Sequence, residues 1–229
     1  MEQVIDTGEN VDYVTFVPDG EPTLDQNLGA MIRGIRPVGL SGEWSDLVFT
    51  DARSKRVVII AHCVLNQNSI SDGTADHAGA DTPVVNLLLR SDVGILQMPC
   101  PEMLCLGLDR RDIQGGERPI LVENSRIRNL LSEEAAMQIT KILVDQIVFQ
   151  VEEYCRYGFS ILSIIGIDRS PSCGVNTTSI DNREVEGEGV FIKALHQELQ
   201  RRNIQINMIG IKGLETEKAL SSIRQMLGL

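Results

Sequence analysis

The stretch that decides the fold is Val93-Gly94-Ile95-Leu96-Gln97-Met98-Pro99-Cys100-Pro101-Glu102. Its apolar start predicts a short buried strand. A cysteine between two prolines follows, and proline fixes φ and removes a backbone donor. We therefore expect a stiff, extended exit from the strand and not the start of a helix. Cys100 and Glu102 would then lie at the end of a strand, where open α/β sheets bind their ligands.

Two other strand-like runs also lead into a cysteine. The run 57–62 is followed by Cys63, and the run 161–167 is followed, after Asp168-Arg169, by Ser170-Pro171-Ser172-Cys173-Gly174. Parallel strands bring their carboxyl ends to one edge of a sheet. The sequence therefore predicts one site, assembled from cysteines that are far apart along the chain.

Strands alternate with helices from residue 56 onward, which predicts a parallel sheet with right-handed crossovers. The fold class is α/β, a three-layer Rossmann-like parallel sheet with helices on both faces. Ser132 is expected to cap a long helix that ends at Gly158. The segments 63–82 and 103–118 are polar and are expected to be loops. The predicted strands are 57–62, 93–98, 161–167 and 204–210, and the predicted helices are 83–90, 132–157, 189–202 and 214–227.

Composition excludes several classes of protein. The chain has 229 residues, 42% of them hydrophobic, with a formal charge of −11 and a pI of about 4.8. This acidic balance argues against a nucleic-acid backbone or an anionic membrane as partner. No apolar run reaches the length of a membrane span, and the acidic N-terminus does not resemble a signal peptide. A cytoplasmic protein is expected, in which five cysteines serve as ligands, catalytic thiols or core residues.

The N-terminal part differs from the rest. Residues 1–50 are expected to form a small appendage and linker, and residues 51–229 the α/β domain, because glycine and proline interrupt 34–52 repeatedly. Gly20-Glu21-Pro22-Thr23-Leu24 resembles a piece of a radical S-adenosylmethionine enzyme. That superfamily's C-x-x-x-C-x-x-C motif is missing, since no cysteine precedes Cys63. We expect a fused remnant or docking appendage without radical chemistry.

Cys63, Cys100 and Cys173 are candidate metal ligands. Soft thiolates select iron–sulfur clusters, zinc or cuprous ions. Only three such ligands are predicted, so a fourth metal position would stay open to a substrate. Glu102 is the nearest carboxylate and could shuttle a proton. The hydroxyl groups of the Ser170–Gly174 motif could donate hydrogen bonds to sulfur or to a small molecule.

Other residues near these motifs have two interpretations each. His62 could be a ligand, a proton relay or a half-buried histidine. Asp109 and Arg110 could bind a polar substrate, but a mutual ion pair is favoured. Cys105 could be a spare ligand, yet its leucine neighbours favour packing, and Cys155 is expected to be structural.

The three motifs together resemble the bacterial 2-thiouracil desulfurase family, and the likeness covers residues 56–212. It implies a 4Fe-4S cluster held by Cys63, Cys100 and Cys173, with one open iron. It also implies Glu102 and Ser170 as the acid/base pair. The implied activity is the non-redox removal of sulfur from a thiolated base such as 2-thiouracil, leaving uracil and hydrosulfide. A free base or nucleoside is favoured over tRNA, because aromatic residues make up only 4% of the chain.

Three alternatives remain open. The protein could be a non-catalytic iron–sulfur or metal module that carries sulfur or senses redox state. It could be a metal-free enzyme in which Cys100 attacks and His62 is the base. It could also be a regulatory domain whose cysteines only pack in the core. Neither the exact substrate, the oligomeric state nor the role of residues 1–50 follows from the sequence.

Overall fold

The structure is a computed structural model, and it describes residues 48–229. A four-stranded parallel sheet in the order β2-β1-β3-β6 forms its centre, and a two-stranded antiparallel hairpin, β4–β5, lies apart from it. The predicted parallel sheet is confirmed. In chain order the strands are β1 (Arg56–Ile60), β2 (Gly94–Gln97), β3 (Ser160–Ile167), β4 (Thr177–Ile180), β5 (Arg183–Glu186) and β6 (Met208–Ile211).

Helices flank the sheet on both faces, as the predicted α/β class requires. The crossover helix between β1 and β2 packs against the last helix, and the helix that precedes β3 packs against the one that follows it. The helices are α1 (His62–Leu65), α2 (Thr82–Arg90), α3 (Pro101–Leu106), α4 (Ile120–Leu131), α5 (Glu134–Arg156), α6 (Val190–Arg201) and α7 (Thr216–Leu227). Short 3-10 turns lie at Gln67–Ser69 and Gly115–Glu117.

The central strands β1 and β3 carry the core. Val58, Ile59 and Ile60 of β1 and Ile164 and Ile165 of β3 are all fully buried. Strands covered by helices on both faces need continuous apolar runs, and this is the pattern that the sequence shows there. The sheet is therefore a rigid base for the residues that follow its strands.

The topology brings three strand ends together. From β1 the chain crosses to β2 on one side of the sheet and then to β3 on the other, so the strand order reverses beside β1. Backbone bonds extend the pairing past the strand ends, with the Ala61 N–H donating to the Ile165 carbonyl and the Met98 N–H to the Ile60 carbonyl, both at 2.8 Å. Ligands of open α/β sheets bind at such a reversal.

One expectation about the Pro99–Pro101 stretch is wrong. Cys100 is extended, with φ −79° and ψ 107°, but it is the N-cap of α3, and Pro101 is in the first turn of that helix. Proline suits this position because its missing N–H would have no partner there and its fixed φ is already helical. Pro101 therefore does both: it keeps the preceding Cys100 extended and begins the helix.

The long helix predicted over 132–157 is α5, but Ser132 is not its N-cap, and a separate helix, α4, precedes it. Ser132 ends α4, where its backbone N–H donates to the Arg128 carbonyl at 3.1 Å, and Glu133 is the N-cap of α5. The sequence pattern missed α4 because part of its buried face is polar. It also missed the β4–β5 hairpin, whose turn residues Asp181 and Asn182 have φ values of 49° and 60°, as a two-residue type I′ turn requires.

Loops were expected at 63–82 and 103–118, yet the first holds most of α1 and a 3-10 turn, and the second most of α3 and a 3-10 turn. Within residues 48–229, no helix combines the length and apolar character that crossing a membrane requires. The N-terminal appendage and its radical S-adenosylmethionine-like motif lie outside the described residues, apart from 48–50. The boundary at residue 50 stays a prediction.

Candidate functional site

The three cysteines predicted as ligands line one cavity at the carboxyl ends of the strands. Its volume is about 240 Å³. Cys63 lies in α1 directly after β1, Cys100 caps α3 after β2, and Cys173 lies in the turn after β3. All three are free thiols, and Cys173 is buried while the other two are partly buried. The fold therefore brings these distant residues to one place.

The thiols are close enough to affect one another electrostatically. Burial raises the pKa of Cys63 to about 12, with further contributions from Cys100 and Glu102. Burial and the Glu102 carboxylate raise the pKa of Cys100 to about 11. The pKa of Cys173 lies well above its usual value because of burial and the two neighbouring cysteines. Thiols in this setting keep their protons until a metal replaces them.

The donor set consists of three thiols around one cavity, and thiolates are the ligands of soft metal ions and iron–sulfur clusters. Among the described residues, no group of three His, Cys, Asp or Glu side chains is arranged to hold one metal ion. A zinc ion needs its sulfur ligands about 2.3 Å away and therefore close together, whereas a cluster takes ligands on separate irons. Three thiols around one cavity, with no fourth cysteine in its lining, suit a cluster with three protein ligands.

Glu102 is a buried carboxylate and not a solvated loop residue. It lies in the first turn of α3 and is 8% exposed. Three donors satisfy it: Ser71 Oγ at 3.1 Å, Arg110 Nε at 3.2 Å and Ser172 Oγ at 2.6 Å. A guanidinium group beside a buried carboxylate compensates its charge. Glu102 is thus fixed in position beside the cysteines.

Ser170 and Glu102 are connected through Ser172. The Ser172 hydroxyl donates to Glu102 Oε1 and lies 3.2 Å from Ser170 Oγ and 3.6 Å from Cys173 Sγ. Ser170 Oγ in turn accepts from the backbone N–H of Ser172 at 3.3 Å and of Cys173 at 3.0 Å. The sequence analysis pointed to both hydroxyl groups but assigned a role to Ser170 only. The geometry adds Ser172 as the residue between them.

Arg110 does not pair with Asp109, as the sequence analysis favoured. Its side chain is 2% exposed and forms an ion pair with Glu102, while Asp109 accepts from the backbone N–H of Arg111 at 3.0 Å. The reason is that a buried carboxylate needs a nearby cation, whereas Asp109 is exposed to solvent. The remaining guanidinium donors bond the carbonyls of Ser69, Gly107 and Leu108 at 2.5, 2.8 and 3.2 Å.

Asp168 holds the turn that carries Ser170, Ser172 and Cys173. Its Oδ1 accepts from three backbone N–H groups, and its Oδ2 accepts from the Asn176 side chain at 3.0 Å. The backbone donors are Val175, Asn176 and Thr177, at 3.2, 2.8 and 3.4 Å. Sequence reasoning missed this role, although a carboxylate directly before a turn is a signal for such caps.

We expect Gly210→Ala to disturb this turn. A Cβ atom at Gly210 in β6 would collide with the carboxylate of Asp168, which has no free space to move into because the turn binds it. Overpacking of this kind costs about 1–3 kcal/mol, so thermal denaturation should show a lower midpoint. Gly79→Ala, where nothing lies within 4 Å of the added carbon, is the control. Equal midpoints for both variants would contradict the proposed role of Asp168.

The other candidate residues have different surroundings. His62 lines the cavity, and burial lowers its pKa. Cys105 packs in a second apolar cluster, with its Sγ 3.7 Å from the Ala136 carbonyl and 4.0 Å from Thr140 Oγ1. Cys155 is exposed near the end of α5. Cys105 and Cys155 are not part of the cavity lining.

Comparisons with known proteins find a curated relative and a solved structure that are similar to this chain. No protein-family model matches the chain. The uncharacterized protein MJ0003 of Methanocaldococcus jannaschii is 27% identical over 157 residues, which covers 69% of this chain and 86% of the relative.

Among solved structures, the chain is similar to a 4Fe-4S-dependent thiouracil desulfidase, TudS. The TM-score is 0.38 and the identity 16%, over 73% of this chain and 98% of that one. Neither comparison supports the likeness to a radical S-adenosylmethionine enzyme. At these levels of similarity, the function has to be argued from the site itself.

Proposed function

We propose that this protein is an iron–sulfur-dependent desulfurase that removes sulfur from a thiolated nucleobase or a related small thiocarbonyl compound and releases hydrosulfide. The observation that carries the proposal is the meeting of three thiols and a buried carboxylate at one cavity. The reaction class comes from the resemblance of the three cysteine motifs. We further propose that residues 51–229 form the catalytic domain.

Cys63, Cys100 and Cys173 would hold a 4Fe-4S cluster. When bound, a cluster with one iron lacking a protein ligand supplies a Lewis acid for the soft sulfur of a thiocarbonyl group. The chain donates two hydrogen bonds to one of the proposed ligand sulfurs, Cys100 Sγ. The donors are the Met103 N–H at 3.4 Å and Arg110 Nη2 at 4.0 Å. Such bonds tune the electronic properties of a cluster.

The chain's own acid/base groups suit hydrolysis without redox change. In the reaction a C–O bond forms from water and the C–S bond breaks, so the carbon keeps its oxidation state. Glu102 would take a proton from the attacking water. The hydroxyl groups of Ser172 and Ser170 connect that carboxylate to the cavity, so Ser170 would donate to the substrate.

The first test is anaerobic purification with iron and acid-labile sulfide counted per chain. About four of each, with a broad absorption shoulder in the violet, are expected for a 4Fe-4S cluster. The same preparation should convert 2-thiouracil to equal amounts of uracil and hydrosulfide. Zinc alone, no metal, or a cluster that releases no hydrosulfide would contradict the proposal.

We expect Glu102→Gln to lower hydrosulfide release by roughly 10²–10⁴-fold, the usual contribution of a general base. The amide keeps the size of the side chain but cannot take the proton of the water. Glu117→Gln, an exposed change outside the cavity lining, is the matched control. Iron content is measured for both variants, and it should stay at the wild-type value. Unchanged activity in Glu102→Gln would show that Glu102 is not the general base of the reaction.

The metal-free alternative has less support. A nucleophilic cysteine needs a depressed pKa, whereas burial and Glu102 raise the pKa of Cys100 to about 11. Burial also lowers the pKa of the proposed base, His62. A protein without iron that still releases hydrosulfide would restore this alternative.

A further inference from the structure

Arg169 lines the cavity and lies in the chain between Asp168, which holds the turn, and Ser170. Its backbone has φ 71°, in the left-handed region. The protein holds it there: its N–H donates to the Thr177 carbonyl at 2.9 Å and to Thr177 Oγ1 at 3.0 Å. Its carbonyl accepts from Asn124 Nδ2 at 3.3 Å and from Ser179 Oγ at 2.7 Å. The left-handed conformation is therefore imposed by the site.

This conformation favours glycine, and a long side chain there strains the backbone. Within the described part of the chain, the Arg169 side chain forms no hydrogen bond or salt bridge that would offset this strain. Glu184 is close enough for Arg169 to contribute to its lowered pKa, but that carboxylate already binds Lys212 Nζ at 2.6 Å and Thr177 Oγ1 at 2.7 Å. Strain retained at a functional site indicates that the residue serves that site.

The rest of the lining indicates which ligand the guanidinium would meet. Apolar side chains also line the cavity, and they suit the faces of a planar heterocycle. A guanidinium group presents donors only and matches a carbonyl oxygen. The aliphatic residues of the lining are Ile70, Ile120, Ile167 and Leu214, and Pro171 also lines it.

We propose that Arg169 recognises the substrate by donating to a ring carbonyl oxygen other than the carbon–sulfur group that reacts. This inference rests on the proposed desulfurase function and narrows its substrates to thiolated heterocycles that also carry a carbonyl. Thiolated rings without that oxygen would leave the guanidinium without an acceptor and would be poor substrates.

The test compares wild-type protein with Arg169→Gly on two substrates, 2-thiouracil and pyrimidine-2-thione, which lacks the second oxygen. Each cluster-loaded protein is assayed for hydrosulfide release over a range of concentrations. The wild type should prefer 2-thiouracil, and the variant should lose at least about 10-fold of that preference, since hydrogen bonds to charged groups are the stronger ones. The preference of the wild type for 2-thiouracil is divided by the preference of the variant. This ratio does not depend on the intrinsic reactivities of the two compounds, because each compound is compared with itself in the two proteins.

Two controls separate recognition from structure. Glycine relieves the positive φ, so Arg169→Gly should unfold at the wild-type temperature or above and keep its iron. Arg183→Ala removes the same charge from an exposed position of β5 outside the cavity lining and should keep the preference for 2-thiouracil. A lower unfolding temperature or lost iron in Arg169→Gly would show a structural role and overturn the proposal.

Binding of uracil, measured by calorimetry on the same preparations, does not depend on turnover. The dissociation constant should rise at least about 10-fold in Arg169→Gly. Equal constants, or no binding by the wild type, would overturn the role of Arg169 even if the wild type releases hydrosulfide. Absence of hydrosulfide together with weakened uracil binding in the variant would overturn the desulfurase function instead and leave recognition of the carbonyl oxygen supported.

Discussion

Alanine in place of Cys173 is expected to yield a folded protein that lacks iron and releases no detectable hydrosulfide. The proposed cluster would have three cysteine ligands, so the loss of one would leave two, and we do not expect a cluster held by two thiolates to persist through purification. Alanine is apolar and nearly fills the position of a cysteine that is 7% exposed, so the fold should survive. Cys63→Ala and Cys100→Ala should have the same effect.

Cys105→Ala is the matched control for these variants. Cys105 is also buried, and its thiol contacts Ala136 and Thr140 outside the cavity. Its replacement removes a similar volume and should leave iron content and activity at wild-type values. Full iron content in Cys173→Ala, measured against this control, would mean that the cysteines are core residues and would end the cluster proposal.

The meeting of the three cysteines could be predicted because it depends on topology and not on detailed packing. The apolar runs before Cys63, Cys100 and Cys173 indicate parallel strands, and parallel strands bring their carboxyl ends to one edge. The structure has these strands side by side as β2, β1 and β3. The predicted limits of these three strands differ from the observed ones by at most two residues. Errors of this size do not change which end of each strand the cysteine follows.

The partners of Glu102 could not be predicted in the same way. Arg110 is eight residues further along the chain and reaches the carboxylate only because Arg110 takes φ 51° in the turn after α3. Sequence patterns favour the adjacent Asp109, and nothing in composition shows which carboxylate is buried. Ser71, a third contact of Glu102, lies in a polar segment that carries no periodic signal.

Helix α4 escaped prediction for a related reason. Apolar periodicity detects helices that bury apolar faces, whereas α4 buries Glu123, Asn124 and Ser125. Asn124 bonds the Arg169 carbonyl and the Ser179 hydroxyl, and Ser125 accepts from the backbone N–H of Asn182. The polar face supports the turn around Cys173 and the hairpin that follows it. Where a helix serves a polar site, the hydrophobic pattern weakens.

Arg110→Met is expected to be the most destabilising single change in the site. Methionine is nearly as long as arginine but offers no donor, so Glu102 would remain buried as a carboxylate with only two hydroxyl donors. Removal of one partner of a buried ion pair costs about 3–5 kcal/mol. Urea denaturation at neutral pH, compared with wild type, measures this loss. Arg111→Met removes an exposed pair with Glu133 and should cost less than about 1 kcal/mol.

A double variant separates the charge of Glu102 from the other contacts of Arg110. If the uncompensated carboxylate causes most of the loss, Arg110→Met combined with Glu102→Gln should be more stable than Arg110→Met alone, because the amide carries no charge. If the loss comes instead from the Ser69, Gly107 and Leu108 carbonyls that Arg110 bonds, the second change should bring no recovery. An Arg110→Met protein as stable as Arg111→Met would refute the ion pair itself. Recovery of stability in the double variant would show that Arg110 stabilises the charged form of Glu102 in the folded protein.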